Sequence, residues 1–171
     1  MSSFPHSQHG FTLIELMVAI TIMALLSSFG IVSFVTYSRS QSLKAATQDF
    51  ITVLQSAKAS ATSQIKPDTC ANTGVLDGYE VIRNSQSSYS IGPVCGGTYD
   101  SASSKTVTLP TNGNVSFDDG SSLTILFQTV TGIVSFDPPQ SNNYADVVLR
   151  ESQSNATQTV RVYSDGRINV L

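Results

Sequence analysis

Histidine is almost absent from this chain. Of 171 residues only His6 and His9 are histidine, both within the first ten, so a chain that loses that segment has none. That excludes a Ser/His/Asp or Cys/His nucleophilic site, and a histidine-based metal site, built from this chain alone. Charge is scarce as well. Asp, Glu, Lys and Arg make up 12% of the residues, about half the usual share, and a net charge of −3 excludes a strongly basic nucleic-acid-binding domain. No Lys or Arg precedes Arg39. Cysteine occurs twice, at Cys70 and Cys95, and two thiols at that spacing cannot close a structural zinc site. The remaining catalytic options, a carboxylate pair or an activated lysine, have no motif here. The chain is therefore expected to be no enzyme and to hold no metal and no cofactor.

What is present is one domain's worth of protein with a concentrated apolar run. Mean hydropathy is +0.06, and from Phe11 to Val35 the sequence reads FTLIELMVAITIMALLSSFGIVSFV with Glu15 as its single charge. As a helix this run rises ~37 Å at 1.5 Å per residue, enough to span a ~30 Å hydrocarbon core with some tilt. An ordinary secretory signal would be shorter and preceded by Lys or Arg, so the helix is expected to be retained. Glu15 stands out, because a carboxylate in a membrane helix costs ~2.5–3.5 kcal/mol at the centre and less near the end. Either it lies near enough to the interface to stay wet, or something supplies a counter-charge.

The run Gly10-Phe11-Thr12-Leu13-Ile14-Glu15-Leu16 resembles the processing site of type IV prepilins and type II secretion pseudopilins. The resemblance implies that a prepilin peptidase removes residues 1–10 by cutting between Gly10 and Phe11, and that Phe11 becomes N-methylphenylalanine. It also gives Glu15 a role. Cleavage creates a positive amine four residues before an anion, both poorly solvated, and each needs the opposite charge. In a stack of subunits, Glu15 of one helix meets the Phe11 amine of the next; the intrachain pairing is the alternative, and it specifies no assembly. Family leaders commonly carry Lys or Arg before the glycine, where this chain has Gln8 and His9. By the positive-inside rule Arg39 and Lys44 favour the reverse orientation; the cleavage motif and the cysteines favour a C-terminal part outside the cytoplasm.

Beyond Tyr37 a helical beat persists in polar company. Leu43, Ala46, Phe50, Val53, Leu54, Ala57 and Ala61 recur at steps of three and four, which predicts one apolar face and a nearly continuous helix over residues 11–66, ending before Pro67. That stripe is expected to seat a sheet domain. From residue 68 short β-branched runs between turn residues predict strands at Tyr79–Arg83, Tyr89–Gly92, Thr106–Leu109, Val115–Asp118, Leu123–Gln128, Ile133–Phe136, Asp146–Arg150, Thr159–Tyr163 and Arg167–Val170. Asp165-Gly166 predicts a two-residue hairpin turn with positive φ angles. The fold class is thus α+β. Four segments are expected: a leader (1–10), a transmembrane and filament-core helix (11–36), an amphipathic helix (37–66) and a β-rich domain (67–171). In an exported domain Cys70 and Cys95 are expected to form a disulfide, closing a loop that stabilises by roughly 3.5 kcal/mol on the chain-entropy model; two free buried thiols are the alternative.

The layout of residues 40–171, with Ser56–Thr62, the cysteine loop and the terminal Asp165-Gly166-Arg167-Ile168, resembles the GspH/FimT branch of pseudopilins and minor pilins. It implies a pilin-like fold, a long N-terminal helix packed on antiparallel sheet, and a scarce structural subunit of a pilus or pseudopilus. Partners implied are the prepilin peptidase, other pilin or pseudopilin subunits, and the inner membrane before assembly. Some members of that branch bind DNA through a terminal Gly-Arg-x-Arg; here Asn169 replaces the second arginine. Arg161 and Arg167 are the candidate DNA contacts, or else solvated strand residues. A DNA- or surface-binding minor pilin, and a major pilin, stand as alternative functions. Asp118-Asp119-Gly120 suggests calcium, but it lacks the alternating oxygen ligands and terminal acid of a calcium loop and reads as a turn.

Overall fold

The computed structural model describes residues 11–71, 74–110, 114–118 and 122–171, except for the side chains of residues 28–32 and 71. Among these residues one long helix, α1 (Leu13–Thr62), is followed by ten short strands. The chain divides into two compact units, one ending at Tyr37 and the other running from Ser38 to Leu171.

Helix α1 stops at Thr62, short of the residue 66 expected from the absence of proline. The reason is a Schellman closure. The Ile65 amide donates to the Ser60 carbonyl (3.1 Å) and the Gln64 amide to that of Ala61 (3.1 Å), while Gln64 takes φ +52° where glycine is more usual.

Within the second unit the strands form two antiparallel sheets. In the first, β3 (Thr98–Tyr99), β2 (Ser88–Cys95), β1 (Leu76–Arg83), β6 (Thr124–Gln128) and β7 (Val134–Asp137) lie in that order, with β4 (Lys105–Thr108) also on β2. In the second the order is β10 (Ile168–Val170), β9 (Thr157–Tyr163), β8 (Tyr144–Glu151) and β5 (Val115–Phe117). The α+β expectation and every predicted strand are present, with bounds moved by a few residues. Only the two-residue β3 was missing from the sequence reading; it is too short to carry a period.

Alternation explains which face each strand buries. On β8, Ala145, Val147, Leu149 and Glu151 point inward, and on β9 Val160 and Val162 do so. Val147, Leu149, Val160 and Val162 meet Val81, Tyr89, Ile125 and Phe127 of the first sheet and Leu43, Ala46, Phe50, Leu54, Ala57 and Ala61 of α1 in one continuous core. The stripe predicted on α1 is thus its buried face, with Val53 half-covered and Thr47 and Ile51 added to it. Phe50 stands at the centre, edge-on to Tyr89 at 5.1 Å and to Phe117 at 5.6 Å, so one side chain touches both sheets. Burial pushes the Tyr89 phenol up to about 12, with the Asp49 carboxylate adding to the effect.

The two sheets are tied at their edges by the Val134 amide on the Ser164 carbonyl and the Phe117 amide on that of Gln86, both 2.8 Å. The last hairpin differs from expectation. Of Asp165 and Gly166 only the glycine takes a positive φ, +81°, and the Tyr163 amide donates to the Arg167 carbonyl across three residues. This is a three-residue loop closed by a left-handed glycine, not a two-residue turn. Glycine is required for space as well, since a Cβ at 166 would lie 2.5 Å from the Gly132 carbonyl oxygen.

Candidate assembly and processing site

The motif residues sit at the start of α1. Phe11 and Thr12 precede the first helical residue, Leu13. The Leu16 amide donates to the Thr12 carbonyl (3.2 Å), and the Glu15 amide donates to the Thr12 hydroxyl (3.3 Å). Thr12 is therefore the N-cap, with Glu15 three residues into the turn, the spacing of a capping box. Phe11 is 86% exposed. Gly10 and the rest of the leader, His6 and His9 included, lie outside the described residues.

Among the described side chains from Leu13 to Ser27, Glu15 carries the polar group that the helix itself leaves unserved. The Thr21 hydroxyl donates back to the Val18 carbonyl (2.8 Å) and the Ser27 hydroxyl to that of Met23 (2.7 Å), so both are quiet in apolar surroundings. The Glu15 amide is taken by the cap, but its carboxylate accepts no hydrogen bond and forms no ion pair among the described residues. Around it Leu13, Ile14, Leu16, Met17, Val18, Ile20, Ile22, Met23, Leu25 and Leu26 are each more than half exposed, on every side of the helix.

Among the described residues no helix is long and apolar enough to cross a membrane. The span expected from the sequence, Phe11–Val35, is described only in part: side-chain description stops at Ser27 and resumes at Ser33, so the middle of that run lies outside it.

Cys70 and Cys95 form a disulfide. It joins a short 3-10 turn, Asp68–Ala71, to the end of β2, and with Leu76 it makes a small satellite core against Tyr79. The Tyr79 hydroxyl in turn donates to the Ile65 carbonyl (2.8 Å). The connection from helix to sheet is thus held at two points.

Of the candidate DNA contacts, Arg161 lies on β9 and Arg167 in the loop between β9 and β10, and both are already engaged. Arg161 makes a bidentate pair with Asp146, both bonds 2.7 Å, and lies 3.9 Å above the Tyr144 ring. Arg167 pairs with Asp165 (2.6 Å) and stacks 4.6 Å from the Tyr163 ring centroid. The Asp146 bond raises the Arg161 pKa, and the Arg167 amide and guanidinium hold the Asp165 carboxyl below the usual aspartate range. Each cation thus meets a local anion, which removes the excess positive charge that phosphate binding needs. Asp118 of the candidate calcium turn bonds Arg150 at 2.5 Å; Asp119 and Gly120 lie outside the described residues, and no metal-holding cluster occurs among the described ones.

Three features escaped sequence reasoning. The cap was spelled by Thr12-Leu13-Ile14-Glu15, a spacing whose physical meaning is general. Lys58 donates to the Gly166 carbonyl (2.8 Å), a contact with no local signal, and Glu151, 1% exposed, accepts from the Gln153 and Ser154 amides and the Ser154 hydroxyl within its own turn.

Residues 5–31 match the family model described as the prokaryotic N-terminal methylation motif. The match supports a type IV pilin-like chain that is processed at its N-terminus, and a structural subunit in place of an enzyme. No curated protein and no solved structure matches the chain.

Proposed function

We propose that this chain is a structural subunit of a type IV pilus or type II secretion pseudopilus, cut between Gly10 and Phe11, N-methylated on Phe11, and assembled through its apolar helix. One observation carries the reading: within a methylation motif, the stretch of α1 from Leu13 to Ser27, apolar on all sides, bears a single carboxylate that is unpaired among the described residues. In a bundle of like helices the apolar sides are covered, and Glu15 receives the Phe11 amine of a neighbour. Burial of both charges is tolerable only as a pair, so the pairing sets axial register. Before assembly the same residues, 11–36, hold the subunit in the inner membrane with Ser38–Leu171 outside the cytoplasm, where a disulfide persists.

The terminal Asp165-Gly166-Arg167-Ile168 hairpin and the two-sheet layout support the GspH/FimT-like minor branch. The neutralised arginines favour a structural role over DNA capture.

The test is Glu15→Gln in the full chain. Cleavage is expected to proceed, and incorporation into filaments to fall at least tenfold, measured by mass spectrometry of sheared filaments against the membrane pool. Incorporation equal to the unaltered chain overturns the role of Glu15.

A further inference from the structure

Two segments that lie far apart along the chain share one corner of the second sheet. Of the eight asparagines, Asn114 and Asn155 are the two followed by a residue other than proline and then by a hydroxyl residue, in Asn114-Val115-Ser116 and Asn155-Ala156-Thr157. That tripeptide is the acceptor pattern for N-linked glycan. Asn114 immediately precedes β5, and Asn155 lies in the turn between β8 and β9. The two meet because Val115 pairs with Glu151 across β5 and β8. The Ser152 amide (3.0 Å) and hydroxyl (2.8 Å) then both donate to the Asn114 carbonyl, which fastens one turn to the other.

We infer that this corner is N-glycosylated, on Asn155 and Asn114. A chain rich in serine and threonine forms such tripeptides by chance, and what sets these two apart is their placement. Both asparagines are exposed, and both hold a left-handed backbone, φ +46° at Asn114 and +54° at Asn155, a turn conformation that asparagine tolerates. Neither side-chain amide is held by a hydrogen bond among the described residues. Thr157 is exposed and Ser116 half-buried. A sugar joined to either side-chain nitrogen therefore projects into water and displaces no packing, while Val115 and Glu151 beside them stay buried. Charged side chains make up only 12% of the chain, so a glycan supplies hydration that charge does not.

The inference rests on the reading that Ser38–Leu171 lies outside the cytoplasm, where a membrane transferase with a lipid-phosphate-linked oligosaccharide meets exported chains. In the transfer, the asparagine Nδ2 forms a bond to the anomeric carbon of the sugar. The bond from that carbon to the phosphate oxygen breaks, the lipid phosphate leaves with the electron pair, and the nitrogen gives up one proton to a base of the transferase. No oxidation or reduction occurs. The hydroxyl two residues on, Ser116 or Thr157, takes no part in the bond changes; it seats the acceptor in the transferase through a hydrogen bond.

The test is peptide mass spectrometry of the full chain taken from the cells that make it, reading the N-terminal peptide, the Cys70–Cys95 peptide and the asparagine peptides in one digest. Sugar mass is expected on the peptides that contain Asn114 and Asn155. Asn84, Asn142 and Asn143, exposed but without the hydroxyl two residues on, are expected to be bare. Thr157→Ala, which keeps Asn155 itself, is expected to lose the sugar from that asparagine, and Thr157→Ser to retain it. Asn114 and Asn155 both bare in a chain that begins at methylated Phe11 overturn the inference, as does sugar that persists on Asn155 in Thr157→Ala. An N-terminal peptide that still begins at Met1, together with free Cys70 and Cys95 thiols, overturns the export reading beneath it.

Discussion

Two stretches of one helix meet opposite fates. From Leu13 to Leu26 apolar side chains stand exposed on all sides, whereas from Leu43 to Ala61 the apolar stripe is buried under two sheets. Neither propensity nor hydropathy alone makes the difference. The second stretch is apolar on one face only and finds its cover inside the same polypeptide. The first is apolar all round, and a helix of that kind belongs in lipid or among other helices. A single copy supplies neither, so the first stretch is a surface waiting for other molecules and the second is a finished core.

That contrast can be broken at its strongest point. Phe50→Ala removes the ring that touches both sheets and is expected to destabilise the folded unit by about 3–5 kcal/mol, read from chemical unfolding of detergent-extracted chain. Leu16→Ala, on the exposed stretch, is expected to leave that unfolding curve in place and to lower filament incorporation. Equal shifts in stability at the two positions erase the distinction. Next in size is the disulfide: replacing Cys70 and Cys95 together by serine is expected to cost about 3.5 kcal/mol on the chain-entropy model while leaving cleavage at Gly10 untouched.

A finer test uses pH. The Ser154 hydroxyl and amide hold the Glu151 carboxyl below the ordinary 4.5 of a glutamate. A carboxyl lowered on folding adds stability in full above its unfolded value, and that contribution is lost as pH falls from about 4.5 through the lowered value. Unfolding midpoints of Glu151→Gln should therefore drop less than those of the unaltered chain between pH 5 and the acid limit, where about 5 marks the start of carboxyl titration. Parallel curves refute the assignment. The smallest effect is expected on the outer face of the second sheet, where Arg161→Ala with Arg167→Ala should leave the unfolding midpoint almost unchanged, exposed ion pairs being worth little.

Much of this was legible along the chain. A short β-branched run such as Asp146–Arg150 marks a strand, and β8 is there, extended to Tyr144–Glu151. Glu15 was conspicuous as a lone charge in an apolar run. The helix end was not legible, because Gln64 adopts a left-handed φ without the glycine that ordinarily signals it. Nor was the last turn, where Asp-Gly is compatible with two loop lengths and the pairing of Tyr163 with Arg167 chooses between them.

By itself the sequence determined the elements and the processing signal, since periodicity, capping spacing and an isolated charge are properties of neighbours a few residues apart. The tertiary structure decided which groups lose their freedom. Lys58 meets the Gly166 carbonyl 108 positions away, and Arg161 is neutralised by Asp146 across a strand pair. Such partners depend on how distant segments close upon each other, and a local pattern carries no record of that distance.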